Sequence, residues 1–330
     1  MKVALASQNW SSPMTSMYSY STDVLHALRS VGVDASPLPI KSLVGMRVGG
    51  LLVPLARRTF LSYPHEDGAL VHHIDQDAWR GVDVVTVHDL FPFRDTRFAD
   101  RFIRSAIRTA VRRARRIVTD SQATLDELAQ RFPSATRGKM QVVPIPHAPV
   151  SPERGPTQYD ALWIGRNAPN KRLEEYVALA GRFPQSRFAV RWSRSPGRPQ
   201  ANEGLTRAIS AAPNIQNFTE FLDEAQMDQL YRQTRVYVST STYEGWHIPV
   251  MAAYLRGCHI VIPRIEPYLS IYPEPTAFWY DPTSRPSLDA AFGQALQAPF
   301  RPPAAQVVDY VSYQSVGSQL KAVYEQLAPR

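Results

Sequence analysis

The chain has 330 residues, 44% hydrophobic and 20% charged, enough for two buried cores and unlike a disordered chain. Its 37 Lys and Arg against 29 Asp and Glu leave a formal charge of +8, which favours anionic partners: phosphates, acidic lipid headgroups or nucleic acid. The single cysteine, Cys258, excludes an internal disulfide and a cysteine-based zinc site and points to a reducing cytoplasm. No apolar run reaches the ~20 residues of a membrane span.

The opening Met1-Lys2-Val3-Ala4-Leu5-Ala6 is too short for a signal-peptide core and reads as a strand over 2–6. An amphipathic helix is predicted over 15–31. Strands follow near 69–73, 82–87 and 116–119, with helices over 97–114 and 122–131 and a closing strand at Met140-Gln141-Val142-Val143. At ~100° per residue, Arg101, Arg104, Arg108, Arg112 and Arg115 share one face of the long helix, opposite Ile103, Ile107, Ala110, Val111 and Ala114. That stripe reads either as a solvated face or as a dock for a membrane surface or nucleic-acid phosphates. His72 and His73 are adjacent on a strand and point to opposite faces, so they make no metal pair. No metal site is expected. His88 ends a strong apolar strand, at the edge where ligands meet an open sheet.

The proline-rich stretch 144–156 reads as a linker. A second series follows it: strands near 159–164, 186–192, 235–240 and 258–262, helices near 171–182, 202–211, 224–233 and 249–256, and a terminal helix over 312–328. Strand–helix alternation in both halves predicts an α/β fold: two Rossmann-like domains, 1–150 and 151–310, whose parallel sheets face each other across a central cleft.

Two motifs stand where strands of the second half end. In Gly165-Arg166-Asn167-Ala168-Pro169-Asn170-Lys171 the glycine lets the chain turn and approach a ligand. Arg166 offers a planar fork of donors to phosphate oxygens, and Lys171 a mobile point charge. In Glu244-Gly245-Trp246-His247-Ile248-Pro249, Pro249 suits a first helical turn, leaving the N–H groups before it free to face an anion. Glu244 reads as an acceptor for ligand hydroxyls or as a helix-cap carboxylate. His247 contributes its backbone rather than its ring.

These motifs resemble the large retaining family 4 of glycosyltransferases, of GT-B fold. Its G-R-x4-K element matches Gly165, Arg166 and Lys171, and its E-G-[FW]-x-[IL]-P element matches Glu244, Gly245, Trp246, Ile248 and Pro249, followed by Gly257. Val85-Thr86-Val87-His88-Asp89-Leu90 and Ile117-Val118-Thr119-Asp120-Ser121 resemble two strand ends of its N-terminal half, so the resemblance runs from residue 1 to about 282. It implies a nucleotide-sugar donor and metal-independent transfer with retention to an acceptor hydroxyl, with no further cofactor. By resemblance, Arg166 and Lys171 bind the donor diphosphate and Glu244 holds the sugar. Gly245, Trp246, His247 and Ile248 offer backbone amides, His88 sits near the anomeric carbon, and Thr15 and Ser16 face phosphate. A helix over 311–330 is implied to cross back to the N-terminal domain. A lipid-linked or glycan acceptor and a peripheral position on the inner face of a membrane are further implications.

Two positions depart from the pattern. Ala252 stands where the family has a second glutamate, and Pro13-Met14-Thr15-Ser16-Met17 replaces its Gly-Gly loop. A transferase acting on modified DNA bases, and a catalytically impaired sugar- or nucleotide-binding relative, are the alternatives these features keep open.

Overall fold

The alternating apolar runs fold into two parallel sheets. The computed structural model describes the chain except residues 8, 12–15, 40–46, 49–50, 53–67, 77–81, 95–99, 195–198 and 328–330, and describes backbone alone at 11, 16, 47–48, 51–52 and 100–102. The chain divides into two compact units, Met1–Pro149 with Asp309–Arg330, and Val150–Val308.

The first unit runs β1 (Lys2–Ser7), α1 (Ser16–Ser30), β2 (Asp34–Pro39), a two-residue antiparallel pair β3 (Arg47–Val48) and β4 (Leu51–Leu52), β5 (Leu70–His73) and β6 (Val84–Val87). It continues through α2 (Asp100–Arg113), β7 (Arg116–Thr119), α3 (Gln122–Arg131), α4 (Pro133–Thr136) and β8 (Met140–Val142). The second unit runs β9 (Tyr159–Arg166), α5 (Leu173–Arg182), β10 (Phe188–Ser193), α6 (Pro199–Ala211), β11 (Ile215–Phe218), α7 (Glu224–Arg232) and β12 (Thr234–Val238). Then come α8 (Ile248–Leu255), β13 (His259–Pro263), α9 (Tyr268–Ile271), β14 (Phe278–Tyr280), α10 (Arg285–Gln297) and α11 (Ala305–Tyr310), which straddles the boundary, while α12 (Tyr313–Glu325) belongs to the first unit.

The six-stranded sheets have the orders β2-β1-β5-β6-β7-β8 and β11-β10-β9-β12-β13-β14, parallel throughout. In each, the chain moves outward from a central strand and then restarts on that strand's other side. The reversal lies between β1 and β5 in one sheet and between β9 and β12 in the other. Loops leaving the carboxyl ends of such a pair diverge, and the crevice they leave is where ligands bind in open α/β sheets.

Within the two six-stranded sheets, the strands absent from the sequence reading, β2, β11 and β14, all lie at the edges; the short β3–β4 pair was not read either. Asp34-Ala35-Ser36-Pro37-Leu38-Pro39 carries no hydrophobic alternation, and its prolines are tolerated because an edge strand has one unpaired side. Under the second sheet, Ala161, Trp163, Tyr176, Phe188, Val236, Val261 and Phe292 form a continuous core. The first is built on Val71, Val85, Val87, Ile107, Val111, Ile117 and Leu128. The apolar face of α2 is therefore as the periodicity predicts. The helix, however, ends at Arg113, so Arg115 leaves the stripe: it lies in the turn, bonding Asp83 Oδ1 at 3.0 Å and the Leu327 carbonyl at 3.1 Å.

Helix α12 packs on α1 at backbone contact. A Cβ built on Gly317 would lie 2.1 Å from the Ala27 carbonyl oxygen, so only glycine fits there. Lys321 Nζ donates to the Val31 carbonyl at 3.3 Å, and the Tyr313 and His26 rings stack at 5.9 Å. Among the described residues no helix is long and apolar enough to cross a membrane.

Candidate active site

The two sequence motifs leave the carboxyl ends of β9 and β12, the reversal pair of the second unit. After β9 the chain makes a single 3-10 turn, Pro169–Lys171, before α5. Hydrogen bonds fasten that turn to the loop after β12. Thr242 N donates to Asn170 O (2.7 Å), Asn170 Nδ2 to Tyr243 O (2.9 Å) and Thr240 Oγ1 to Lys171 O (2.7 Å). Thr240 is itself set by the Trp163 indole, which donates to it at 3.1 Å. The same indole explains Gly165, whose Cβ would lie 2.8 Å from the ring. Gly165 has no left-handed backbone, so it is required by Trp163 beneath it rather than by the sharp turn expected from sequence.

So fastened, the loops bring Lys171 Nζ to 2.6 and 2.8 Å from the two Glu244 carboxylate oxygens. Glu244 is buried and Lys171 nearly so, which makes this a two-pronged ion pair in a poorly solvated place. Glu244 does not cap α8, whose preceding residue, His247, makes no side-chain cap. The Arg166 side chain is exposed and makes no hydrogen bond or ion pair with any described residue. One cation is thus committed to a carboxylate and the other is open to solvent.

Helix α8 begins after His247, held in the left-handed region at φ 76, with Pro249 in its first turn. The backbone N–H groups of Gly245, His247 and Ile248 donate to no described residue. They form the positive end of a helix dipole beside the Lys171–Glu244 pair. The Trp246 side chain is buried. The Tyr268 hydroxyl hydrogen-bonds both Ser239 Oγ, at 3.0 Å, and His247 Nδ1, pinning the imidazole under the loop. Burial, then the Lys171 charge, hold the His247 pKa well below its ordinary value, leaving the ring neutral. Beside the clamp lies a cavity of about 450 Å³ lined by Arg172, Glu175, Thr240, Tyr280 and Arg285. Glu175 answers both arginines there, at 2.9 and 3.0 Å.

In the first unit, His88 follows β6 and meets acceptors on both sides. Nδ1 lies 2.6 Å from Asp120 Oδ2, and Nε2 lies 2.9 Å from the Ile74 carbonyl. A carbonyl only accepts, so Nε2 carries a proton, and in the charged ring Nδ1–H also donates, to the Asp120 carboxylate. Burial works against the charge, but the Asp120 carboxylate, then the Ile74 carbonyl and Asp75, raise the His88 pKa to about 9. With both nitrogens committed, the ring can supply positive charge but no lone pair. Beneath it the other strand histidine, His72, bridges Tyr324 OH of α12 (2.7 Å) and Thr86 Oγ1 (2.9 Å), and burial lowers its pKa to about 3.

A pH profile follows from these two rings. His88 titrates near 9 folded against 6.5 unfolded, so its stabilisation is complete below about pH 6.5 and lost as pH rises toward 9. For His72 the order is reversed, and stability is lost as pH falls below about 6.5. Urea midpoints should therefore peak near pH 6.5, and Asp120→Asn should flatten the alkaline limb while leaving the acid limb in place. An unchanged alkaline limb in that variant would assign it to another group.

The remaining sequence-predicted residues divide as follows. Thr15 lies outside the described residues, and Ser16 opens α1 with its side chain undescribed, as is that of Arg101. Arg104 donates to the Pro92 carbonyl at 2.8 Å, Arg108 lies over the Phe93 ring, and Arg112 is exposed. Asn170, Thr240 and Asp120 had no role in the sequence reading. Asp120 alone carried a signal, an acidic residue immediately after a buried strand.

No protein-family model matches the sequence, and no curated protein matches it. Solved structures do. Sucrose-phosphate synthase from Thermosynechococcus elongatus is 16% identical, with 99% of each chain covered and a TM-score of 0.71. The E. coli trehalose-6-phosphate structure bound with UDP-2-fluoro glucose is 13% identical, with 100% of each chain covered and a TM-score of 0.68. Anabaena HepE in complex with UDP and glucose is 15% identical over 99% of this chain and 98% of its own, with a TM-score of 0.66. With its two parallel six-stranded Rossmann-like sheets and flanking helices, the chain has the α/β fold of these GT-B structures.

Proposed function

We propose that the protein is a retaining, metal-independent glycosyltransferase, resembling family 4, that moves a hexose from a nucleotide-sugar donor to an acceptor hydroxyl. The observation that carries this reading is the Lys171–Glu244 pair clamped beside three free amides and an open Arg166, at the strand-order reversal of the second sheet. Arg166, Lys171 and the amides of Gly245, His247 and Ile248 receive the donor diphosphate. Glu244 accepts hydrogen bonds from hydroxyls of the transferred sugar. The bond between the anomeric carbon and the phosphate oxygen breaks with its electron pair leaving on the nucleoside diphosphate. The acceptor oxygen bonds that carbon from the same face, and its proton passes to the departing phosphate. Preorganised cations and amides favour this step because they meet charge as it develops. Neighbours with the same fold hold UDP or UDP-glucose, which supports a nucleotide sugar as donor.

Ala252 lies within α8 and brings no carboxylate to a ribose, so donor affinity rests on the diphosphate and the sugar. The acceptor we favour is lipid-linked or a glycan, reached at an anionic membrane surface. Exposed Arg108 and Arg112, with Arg131 4.8 Å from the Phe93 centroid, support a basic face there.

Thermal unfolding with nucleoside diphosphates and their sugar conjugates tests the donor. A ligand at ~100 times its dissociation constant adds about 2.7 kcal/mol. Turnover of the stabilising conjugate should survive EDTA. Glu244→Ala should weaken the conjugate and leave the free diphosphate nearly unaffected; equal loss for both would remove Glu244 from sugar recognition. No shift across the panel would overturn the donor assignment.

A further inference from the structure

At the amino ends of β12 and β13, the sheet edge opposite the loops above, three arginines and a histidine gather: Arg154, Arg235, Arg301 and His259. The fold sets each in place. Arg154 Nη2 donates to the Thr234 carbonyl at 2.8 Å, and Arg235 Nη2 to the Ala298 carbonyl at 3.2 Å. His259 is the register partner of Val236 and meets Phe278 edge-on at 5.5 Å. The Phe300 ring lies 6.0 Å from Arg154 Cζ, above Gly257, whose Cβ would lie 2.6 Å from it. Arg301 lies exposed just beyond Phe300.

No described carboxylate pairs with any of the four, and Glu153, beside Arg154, is exposed. His259 is only 6% exposed, yet its Nε2 reaches no partner. The Nε atoms of Arg154 and Arg235 are likewise buried without an acceptor. Burial first, then Arg154, Arg235 and Arg301, push the His259 pKa down, and burial also lowers that of Arg154. The groups are thus close enough to oppose one another. Arg154 and Arg235 are half-buried, and cations so placed without a counter-charge are costly, while buried donors without acceptors are rare. Cys258 is accounted for separately, donating to the Tyr231 carbonyl at 3.2 Å.

We propose that this cluster is an anion site, separate from the β9 and β12 loops, that takes a small tetrahedral oxyanion: inorganic phosphate or a phosphomonoester. The guanidinium groups of Arg154 and Arg235 hold it, with His259 on its inner side and Arg301 at the rim. Each arginine spends one terminal nitrogen on a carbonyl and keeps the other for the ligand, and guanidinium groups match phosphate geometry.

The test is thermal unfolding of the full chain in inorganic phosphate against sodium chloride at equal ionic strength. Phosphate should raise the wild-type midpoint by several degrees over chloride, and Arg166→Ala should keep that increment. Arg235→Met retains the aliphatic stem and removes the charge. It should weaken phosphate by roughly 10-fold or more, and in chloride it should unfold at the same or a higher temperature than wild type. Arg154→Met should repeat the pattern, and serves if Arg235→Met fails to fold. The proposal is overturned by no phosphate increment in wild type, or by equal increments in wild type and both variants. An increment lost in Arg166→Ala and kept in Arg235→Met would place the phosphate on the β9 and β12 loops and equally overturn it.

Discussion

Replacing Lys171 with alanine is expected to lower turnover by ~100-fold or more and to destabilise the protein in the same stroke. The first effect follows from losing one preorganised cation where charge develops on the departing phosphate. The second follows from the pairing: without Lys171, the Glu244 carboxylate stays buried with no cation in contact, and breaking such a pair costs about 3 kcal/mol. Arg166→Ala separates the two effects. The Arg166 side chain is exposed with no partner among the described residues, so turnover should fall by a similar factor while the urea midpoint stays put. The double variant Lys171→Met with Glu244→Gln should recover stability and remain inactive. Activity within a few-fold of wild type in Lys171→Ala or Arg166→Ala would remove that residue from the reaction. A Lys171→Ala protein as stable as wild type would show that the ion pair is not formed in solution.

The second large effect is expected in the first unit. Gly317→Ala places a methyl group 2.1 Å from the Ala27 carbonyl oxygen, a backbone atom that cannot rotate away. Helix α12 must lift from α1, at a cost of about 3 kcal/mol or more. The strain reaches the interior because Tyr324, two turns further on, bonds the buried His72 at 2.7 Å. Gly293→Ala is the control, since a Cβ there meets nothing within 4 Å; in the interior of α10 it should stabilise by up to ~1 kcal/mol. Urea unfolding of the two variants reads both signs. Equal midpoints would mean that the helices do not touch as closely as described.

Local pattern settled much about this protein. The central strands β1, β5, β6, β7, β9, β10, β12 and β13 are largely buried apolar runs and were legible as such, as were the helices between them. Both motifs were correctly placed at strand ends, because the end of an apolar run and a following Pro or Gly are properties of neighbouring residues. Tertiary structure decided what depends on distant ones. Edge strands β2, β11 and β14 are short or interrupted by proline, too little for a sequence pattern, and form because a central strand offers them a ladder. Arg115 left its stripe because the helix stops at Arg113, and Asp83, 32 residues earlier, holds it in the turn. Gly165 turned out to serve the Trp163 ring instead of a bend. Lys171 and Glu244 lie 73 residues apart and meet only because the β9 and β12 loops are stitched together by Asn170 and Thr240. His88 keeps its charge through Asp120, and the cluster of Arg154, Arg235, His259 and Arg301 is scattered over nearly 150 positions. Sequence spacing reports the period of one element; which charges share a buried space is settled only when the sheet brings those elements together.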